Sequence, residues 1–358
     1  MNKLTFASLG LAASVIASVA LFNCNNDPMG NTPTDTADMA VGSTDMATGS
    51  GDMALTNPDL AGVAAPTKVT GFKQPTSAFW DAATSSWYVS NVGGATVTDP
   101  KTFSTNMTAF ISKVPANLMN PNHAWYPNTV TPRLNAPFGL RGGGGKLYVG
   151  NIDKLWAIDM ANPTTVAPLQ SATVAAGGLA SLAGYPTFMI DVALDSSNNA
   201  YVADATGRRL LKFTAPFAAG ANPTTIVAAD TFAGTSGVYI DGTKVVIAEA
   251  GINQVIMQSG GINTCNLDGS GRTRLVNSTK NSLAYQGIEK DTVANKYMIA
   301  SPGDKIVYSV DPSTGAQTIL RNVAQDGATT ATDIGWDPVG KVLAVPDTGA
   351  DVVYFYKL

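Results

Sequence analysis

From about residue 66 to its end, the chain is a succession of short apolar runs, each closed by a Gly, Asn, Asp or Ser turn. The spacing is that of half-buried strands: Asp191-Val192-Ala193-Leu194-Asp195 leads through a turn at 196–199 into a second run at 200–203. One motif returns inside this pattern. Tyr88-Val89-Ser90-Asn91 comes back as Tyr148-Val149-Gly150-Asn151 and as Tyr201-Val202-Ala203-Asp204. Looser copies stand at Val246-Ile247-Ala248-Glu249, at 297–301 and at 343–347. The final positions, 91, 151, 204, 249, 301 and 347, are separated by 60, 53, 45, 52 and 46 residues. A period near fifty that carries strand residues marks a propeller or array.

Each copy has the same order: an apolar segment, the tetrad strand, a Gly-containing turn, a further strand and a last strand. In the third copy these are 191–195, 200–203, 210–213 and 225–228; the sixth runs 332–337, 342–345 and 352–356, with a turn at Gly349. Four antiparallel strands per copy build one blade. The expected fold is therefore all-β, a six-bladed β-propeller over 66–358. The sixth copy ends one strand short, and Lys68 to Phe72 is placed to supply it, closing the ring and removing two exposed sheet edges. The stretch 92–134 exceeds what a blade needs and holds His123, Trp125 and several prolines, so it reads as a long loop on one face.

Composition agrees and narrows the partners. Hydrophobic residues are 45% and charged ones 13%, enough apolar surface for a large core, and 35 Gly with 20 Pro supply the turns. Lys+Arg 22 against Asp+Glu 26 leaves no basic footprint, which excludes nucleic acid as the expected partner. The N-terminus reads as an export signal over 1–23: Lys3 precedes an apolar run from Leu9 to Ala20, shorter than the ~20 residues a spanning helix needs. Ser18-Val19-Ala20 offers one cleavage site; Leu21-Phe22-Asn23-Cys24 is similar to a bacterial lipobox, with Cys24 as the acylated residue. Residues 24–65 carry a seven-residue repeat, Asp38-Met39-Ala40, Asp45-Met46-Ala47, Asp52-Met53-Ala54 and Asp59-Leu60-Ala61, broken by Gly and Pro. With one apolar position per heptad there is no coiled-coil seam. A disordered tether is expected, holding a periplasmic or surface domain to a membrane by its lipid alone, with plain secretion as the alternative. Cys265 then has no partner for a disulfide.

Four stretches carry a family resemblance: 79–91 from Phe79-Trp80-Asp81, 136–149 from Ala136-Pro137-Phe138-Gly139, 191–204, and Thr332-Asp333-Ile334-Gly335-Trp336-Asp337. Together they resemble the six-bladed propellers that include gluconolactonase, senescence marker protein and luciferin-regenerating enzyme, with NHL-repeat proteins close by. The resemblance covers 66–358. It implies a divalent cation on the propeller axis, held by a Glu opening the first inner strand and by Asn and Asp side chains opening later ones. Such a cation polarises a lactone carbonyl or activates water. Position by position this chain departs from that set. The Glu slot is Thr76, the Asn slot is Ile190, and the residues before Gly in blades two, four and five are Phe138, Ser236 and Gln286. Asp191 and Asp333 remain as carboxylates; with Gln286, Ser236 and Thr76 they are the candidate ligands for Ca2+ or another divalent cation. The competing reading has both Asp residues bonding backbone amides across the axis.

The leading expectation is a propeller without a catalytic set, binding a small molecule or an envelope protein on its axial face. The alternative is a metal-dependent lactonase or ester hydrolase that uses Asp191 and Asp333; a purely structural envelope protein is a third reading. Other constellations reduce to turns and core. His123, the sole histidine, sits among Pro and Asn without a Gly-x-Ser-x-Gly elbow, as a surface loop residue. The run 142–146 lacks the remaining residues of a phosphate loop and reads as a hairpin turn. The run 266–271 mimics half a calcium loop, but Asn277 stands where the bidentate Glu belongs. Cys265 is expected as a small strand residue, and Trp87, Trp156 and Trp336 as core between blades. Trp125 and Tyr126 are the expected exposed binding residues.

Overall fold

All six tetrads form the second strand of a four-stranded sheet, and each of those strands ends on the tetrad's last residue: Asn91, Asn151, Asp204, Glu249, Ser301 and Asp347. The computed structural model describes residues 65–94, 108–131, 133–163, 166–169, 187–217, 222–229, 231–251, 258–280 and 283–358. The signal segment, Cys24 and almost all of the 24–65 repeat lie outside them. The terminal position of the tetrad is buried and polar because it organises the end of its blade. Asn91 Oδ1 accepts from Lys73 N at 3.0 Å, and Asn151 Oδ1 from Asn135 N and Ala136 N at 3.0 and 2.9 Å. Asp204 Oδ1 accepts from Phe188 N at 2.9 Å and Gly207 N at 3.1 Å, while Asp347 takes Thr329 N, Gly349 N and Ala350 N. A short side-chain acceptor at the end of a strand gives the buried amides of the next turn their partners.

The first strands of the blades form the inner ring. They run Pro75–Asp81, Pro137–Gly143, Met189–Leu194, Thr235–Asp241, Ile288–Asp291 and Gly335–Asp337. Each touches the first strand of the next blade, and the sixth touches the first, so the ring is closed. The third, unpaired edge of blade six is covered by Thr67–Val69, which pairs antiparallel with Val352–Lys357 in the register Thr67↔Phe355, Lys68↔Tyr354, Val69↔Val353. The chain-closing strand thus begins one residue earlier and ends three earlier than the sequence pattern suggests.

Apolar faces meet between blades rather than within them. Tyr88, Ile111, Trp125 and Tyr126 of blade one pack with Leu140, Val149 and Trp156 of blade two, and Trp87 of blade one packs with Phe355 and Ala344 of blade six. Each fully buried aliphatic or Phe side chain at such an interface contributes about 1.5–3 kcal/mol of transfer free energy.

The stretch 92–134 is corrected by this packing. It is not a long loop: Phe110–Pro115 and Asn122–Tyr126 are the third and fourth strands of blade one. Trp125 and Tyr126 are consequently buried, at 8% and 0% exposure, and the Trp125 ring meets Tyr88 edge-on at 4.7 Å. They offer no exposed contact surface. His123 lies on the same outer strand, half-buried, with Nδ1 3.0 Å from Ser112 Oγ and its ring edge-on to Phe72 at 4.9 Å. Burial lowers its pKa, partly offset by a hydrogen bond with the backbone of Thr70.

Candidate functional site

The inner strands decide what reaches the axis. Four of them carry a β-bulge at their start, between Pro75 and Ser77, Pro137 and Leu140, Met189 and Asp191, and Thr235 and Gly237. A bulge inserts one residue and re-aims the side chains beside it. Four side chains of the expected ring therefore turn sideways between blades. Thr76 Oγ1 donates to Pro137 O at 3.0 Å, and Ser236 Oγ donates to Tyr285 O at 2.7 Å. Phe138 packs edge-on against Phe188 at 5.0 Å, and Ile190 joins the same apolar cluster. Thr76 and Ser236 are structural stitches, not ligand-facing groups.

One residue further on stand Ser77, Gly139, Asp191 and Gly237 in their strands, with Gly287 and Asp333 just before theirs; two further still, all six strands are reached at Phe79, Arg141, Ala193, Tyr239, Glu289 and Gly335. Residues two apart share a strand face, so these positions make two successive layers. Glycines in the first layer permit the blades to close in: a Cβ at Gly139 would overlap Asp191, and one at Gly237 would overlap the Gln286 carbonyl.

The centre of the site is Arg141. Its Nη1 donates to Glu289 Oε1 at 2.7 Å, joining blade two to blade five, which stand opposite each other in a ring of six. The guanidinium lies 5.8 Å from the Phe79 ring centroid and 6.0 Å from that of Tyr239. Asp191 and Asp333 act on it electrostatically from the first layer. Asp191 Oδ2 accepts from Val238 N of blade four at 2.8 Å, and its Oδ1 from Val192 N at 2.7 Å. Asp333 Oδ2 accepts from Ser77 Oγ of blade one at 2.5 Å, while Ser77 Oγ accepts from Leu140 N of blade two at 3.2 Å. Every blade therefore gives at least one group to a single axial network.

Three carboxylates surround one guanidinium, and all are removed from bulk water. Burial pushes Asp191 up to about 7, against the pull of Arg141 and its two amide donors. Asp333 is raised well above the ordinary carboxylate range, first by burial and then by the Asp191 charge, although Ser77 and Arg141 oppose this. Glu289 is raised by burial, with Arg141 opposing. Burial works against the Arg141 charge, but Glu289, Asp191 and Asp333 together raise its pKa. The cluster holds protons near neutrality and keeps the arginine charged.

The residues present do not fit a divalent cation. Among the described residues no three His, Cys, Asp or Glu side chains gather to hold a metal ion. Arg141 brings a fixed positive charge to the place where Asp191 and Asp333 converge, and a cation there would meet its repulsion. Gln286 is buried at 5% exposure, and its Oε1 has no hydrogen-bond partner among the described residues; its backbone N donates to Ala300 O at 2.9 Å. Arg141 and Glu289 escaped the sequence reading. Aligning the six inner strands at their bulges exposes them as opposite charges at equivalent positions of opposed blades.

The remaining motifs are turns. Gly143 and Lys146 pair as the ends of a hairpin, and Ser270 N and Oγ donate to Asp268 Oδ1 at 2.9 and 2.6 Å within the 266–270 turn. Cys265 is a buried free thiol on a third strand, raised to about 11 by burial.

The fold and its closed axial ring define the class: a six-bladed β-propeller. No family model matches the chain, and no curated protein matches it. Among solved structures it is similar to a chain in the crystal structure of a nidogen/laminin complex, with a TM-score of 0.50 and 13% identity. That match covers 67% of this chain and 82% of the other, and it bears on the fold alone. The narrower likeness to gluconolactonase and its relatives rests on the sequence motifs.

Proposed function

We propose that this protein is a non-catalytic binding propeller, exported and lipid-tethered through Cys24, that takes a small molecule or an envelope protein on its axial face. The observation that carries the reading is Arg141. The axial carboxylates that would hold a metal in a lactonase-like enzyme are engaged with Arg141, with Ser77 and with the Val192 and Val238 amides. The arginine and Glu289 retain 16% and 9% side-chain exposure, and Phe79 and Tyr239 beside them are half-buried. The site thus offers a paired charge between two aromatic rings. Hairpin tips next to the inner strands add apolar contacts, Val293 at 82% and Val339 at 89% exposure.

The test sets binding against hydrolysis. Titration with Ca2+, Mn2+ and Zn2+ is expected to leave the melting temperature unchanged, since a bound cation raises it by mass action. Lactone and aryl-ester hydrolysis should stay at the buffer rate with each metal. A metal-dependent rate that disappears in Asp191→Asn overturns the reading in favour of a metal-dependent hydrolase.

A further inference from the structure

The fourth blade breaks the rule kept at the tetrad ends. In blades one, two, three and six the terminal Asn or Asp accepts backbone N–H groups of the adjoining loops, and in blade five Ser301 Oγ donates to Asp304 at 2.8 Å. Blade four places Glu249 there, buried at 2% exposure. Its longer side chain reaches across the blade to the third and fourth strands, and among the described residues it accepts only from side chains: Asn263 Nδ2 at 2.7 Å and Arg274 Nη1. Where its sister positions close a loop, Glu249 instead forms the wall of a cavity of about 420 Å³, lined with Thr231, Ala233, Gln258, Asn263 and Arg272. Glu249 ends its strand at the opposite end from the Asp241–Lys244 hairpin, so the cavity is separate from the Arg141 site.

Charge and donors in this cavity are unbalanced. Arg274 matches Glu249 and spends its remaining N–H groups on the Asn277 side chain and on the Ser259 and Gly260 carbonyls. Arg272 has no carboxylate partner among the described residues; it donates one bond, from Nη1 to Thr231 O at 3.0 Å, and lies 5.7 Å over the Phe232 ring. That contact fixes its direction while leaving most of the guanidinium fork unused. Gln258 accepts from Arg208 through Oε1 at 3.3 Å, and its NH2 group has no partner among the described residues. A guanidinium fork with an amide donor beside it is the chemistry that recognises a carboxylate or phosphate. The lone pairs left on Glu249 suit a hydroxyl on the same ligand. A volume at the lower end of the roughly 300–1,000 Å³ of small-molecule sites admits one compact molecule.

We propose that this cavity is a second binding site, for a small hydroxylated oxyanion whose charged group is held by Arg272. Isothermal titration of the full chain with inorganic phosphate in one arm and tartrate in the other tests it and separates the two charged groups. At least one probe should saturate a single site at or below about 10 mM, and Arg272→Gln should weaken it about tenfold, ~1.4 kcal/mol. Arg272 is exposed, so the variant should melt like the parent, and a melting curve checks this. Arg141→Lys at the axis should leave the affinity unchanged. The site is refuted if neither probe saturates, or if Arg272→Gln binds as the parent does.

Discussion

Arg141 and the three carboxylates around it govern how stability responds to pH. Asp191 sits at about 7 in the folded protein, whereas an unfolded Asp titrates near ~3.9. Between these values the native state keeps a proton that the unfolded chain has released. Its contribution is therefore complete below about pH 4 and is lost as pH rises towards 7. Asp333 and Glu289, also raised by burial, act in the same direction. Asp195 has the opposite sign. Although burial works against it, hydrogen bonds from Asn199, Ser197 and Tyr201 hold it below the usual range, so its contribution is lost under more acid conditions. Melting temperature should consequently peak on the acid side of neutrality and decline towards pH 8. Asp191→Asn should flatten that decline, because the amide oxygen still accepts from Val238 N without titrating. Arg141→Met leaves Glu289 buried without its partner and should cost about 3–5 kcal/mol at neutral pH. Part of that loss should return near pH 5, where the carboxylates protonate; an equal loss at both pH values would contradict the electrostatic account. Asp191 and Asp333 were legible in the sequence as axial carboxylates. Arg141 was not, because bulges shift the axis-facing register by one residue from the Thr76, Phe138 and Ser236 slots.

At the level of the element, the closing strand carries a disproportionate share of the fold. Thr67–Val69 is only three residues long, yet among the described residues it is the strand that covers the outer edge of Val352–Lys357. Lys68 fastens it, with Nζ donating to Asp326 O at 2.8 Å and lying 5.1 Å over the Tyr354 ring. A chain beginning at Gly71 should melt at lower temperature and associate through the freed edge, as size-exclusion chromatography against concentration would show. Persistence of a monomer with the parent melting temperature would mean that the closure is dispensable. The inner strands make a second demand. A methyl at Gly237 must displace the Gln286 carbonyl, so Gly237→Ala should cost about 1–3 kcal/mol in a denaturant melt. Sequence periodicity exposed the second strands because Tyr, Val, Ile and Leu recur there with a polar end. It concealed the outer strands of blade one. Asn122-His123-Ala124-Trp125-Tyr126 follows a Pro- and Asn-rich stretch, and only its partner strand at 110–115 shows that Trp125 and Tyr126 face inwards.

Over the whole molecule, all six sheets are complete within residues 67–357, and this separates the folded body from its proposed anchor. If residues 25–65 behave as a flexible chain, their root-mean-square reach is about 35 Å. A propeller so held would sample partners near the membrane without being pinned to it in one orientation. The anchor and the body then make independent contributions. Acylated Cys24 should place the protein in the membrane fraction, and the mature N-terminus should carry the acyl mass on Cys24. Cys24→Ala should release the protein to the soluble fraction while leaving the melting temperature of the propeller unchanged, since all six sheets are built from residues 67–357. A mature chain starting at Leu21 without added mass would remove the anchor and leave secretion. A Cys24→Ala protein that stays with the membrane would instead assign retention to the propeller surface, where Val293 and Val339 are exposed.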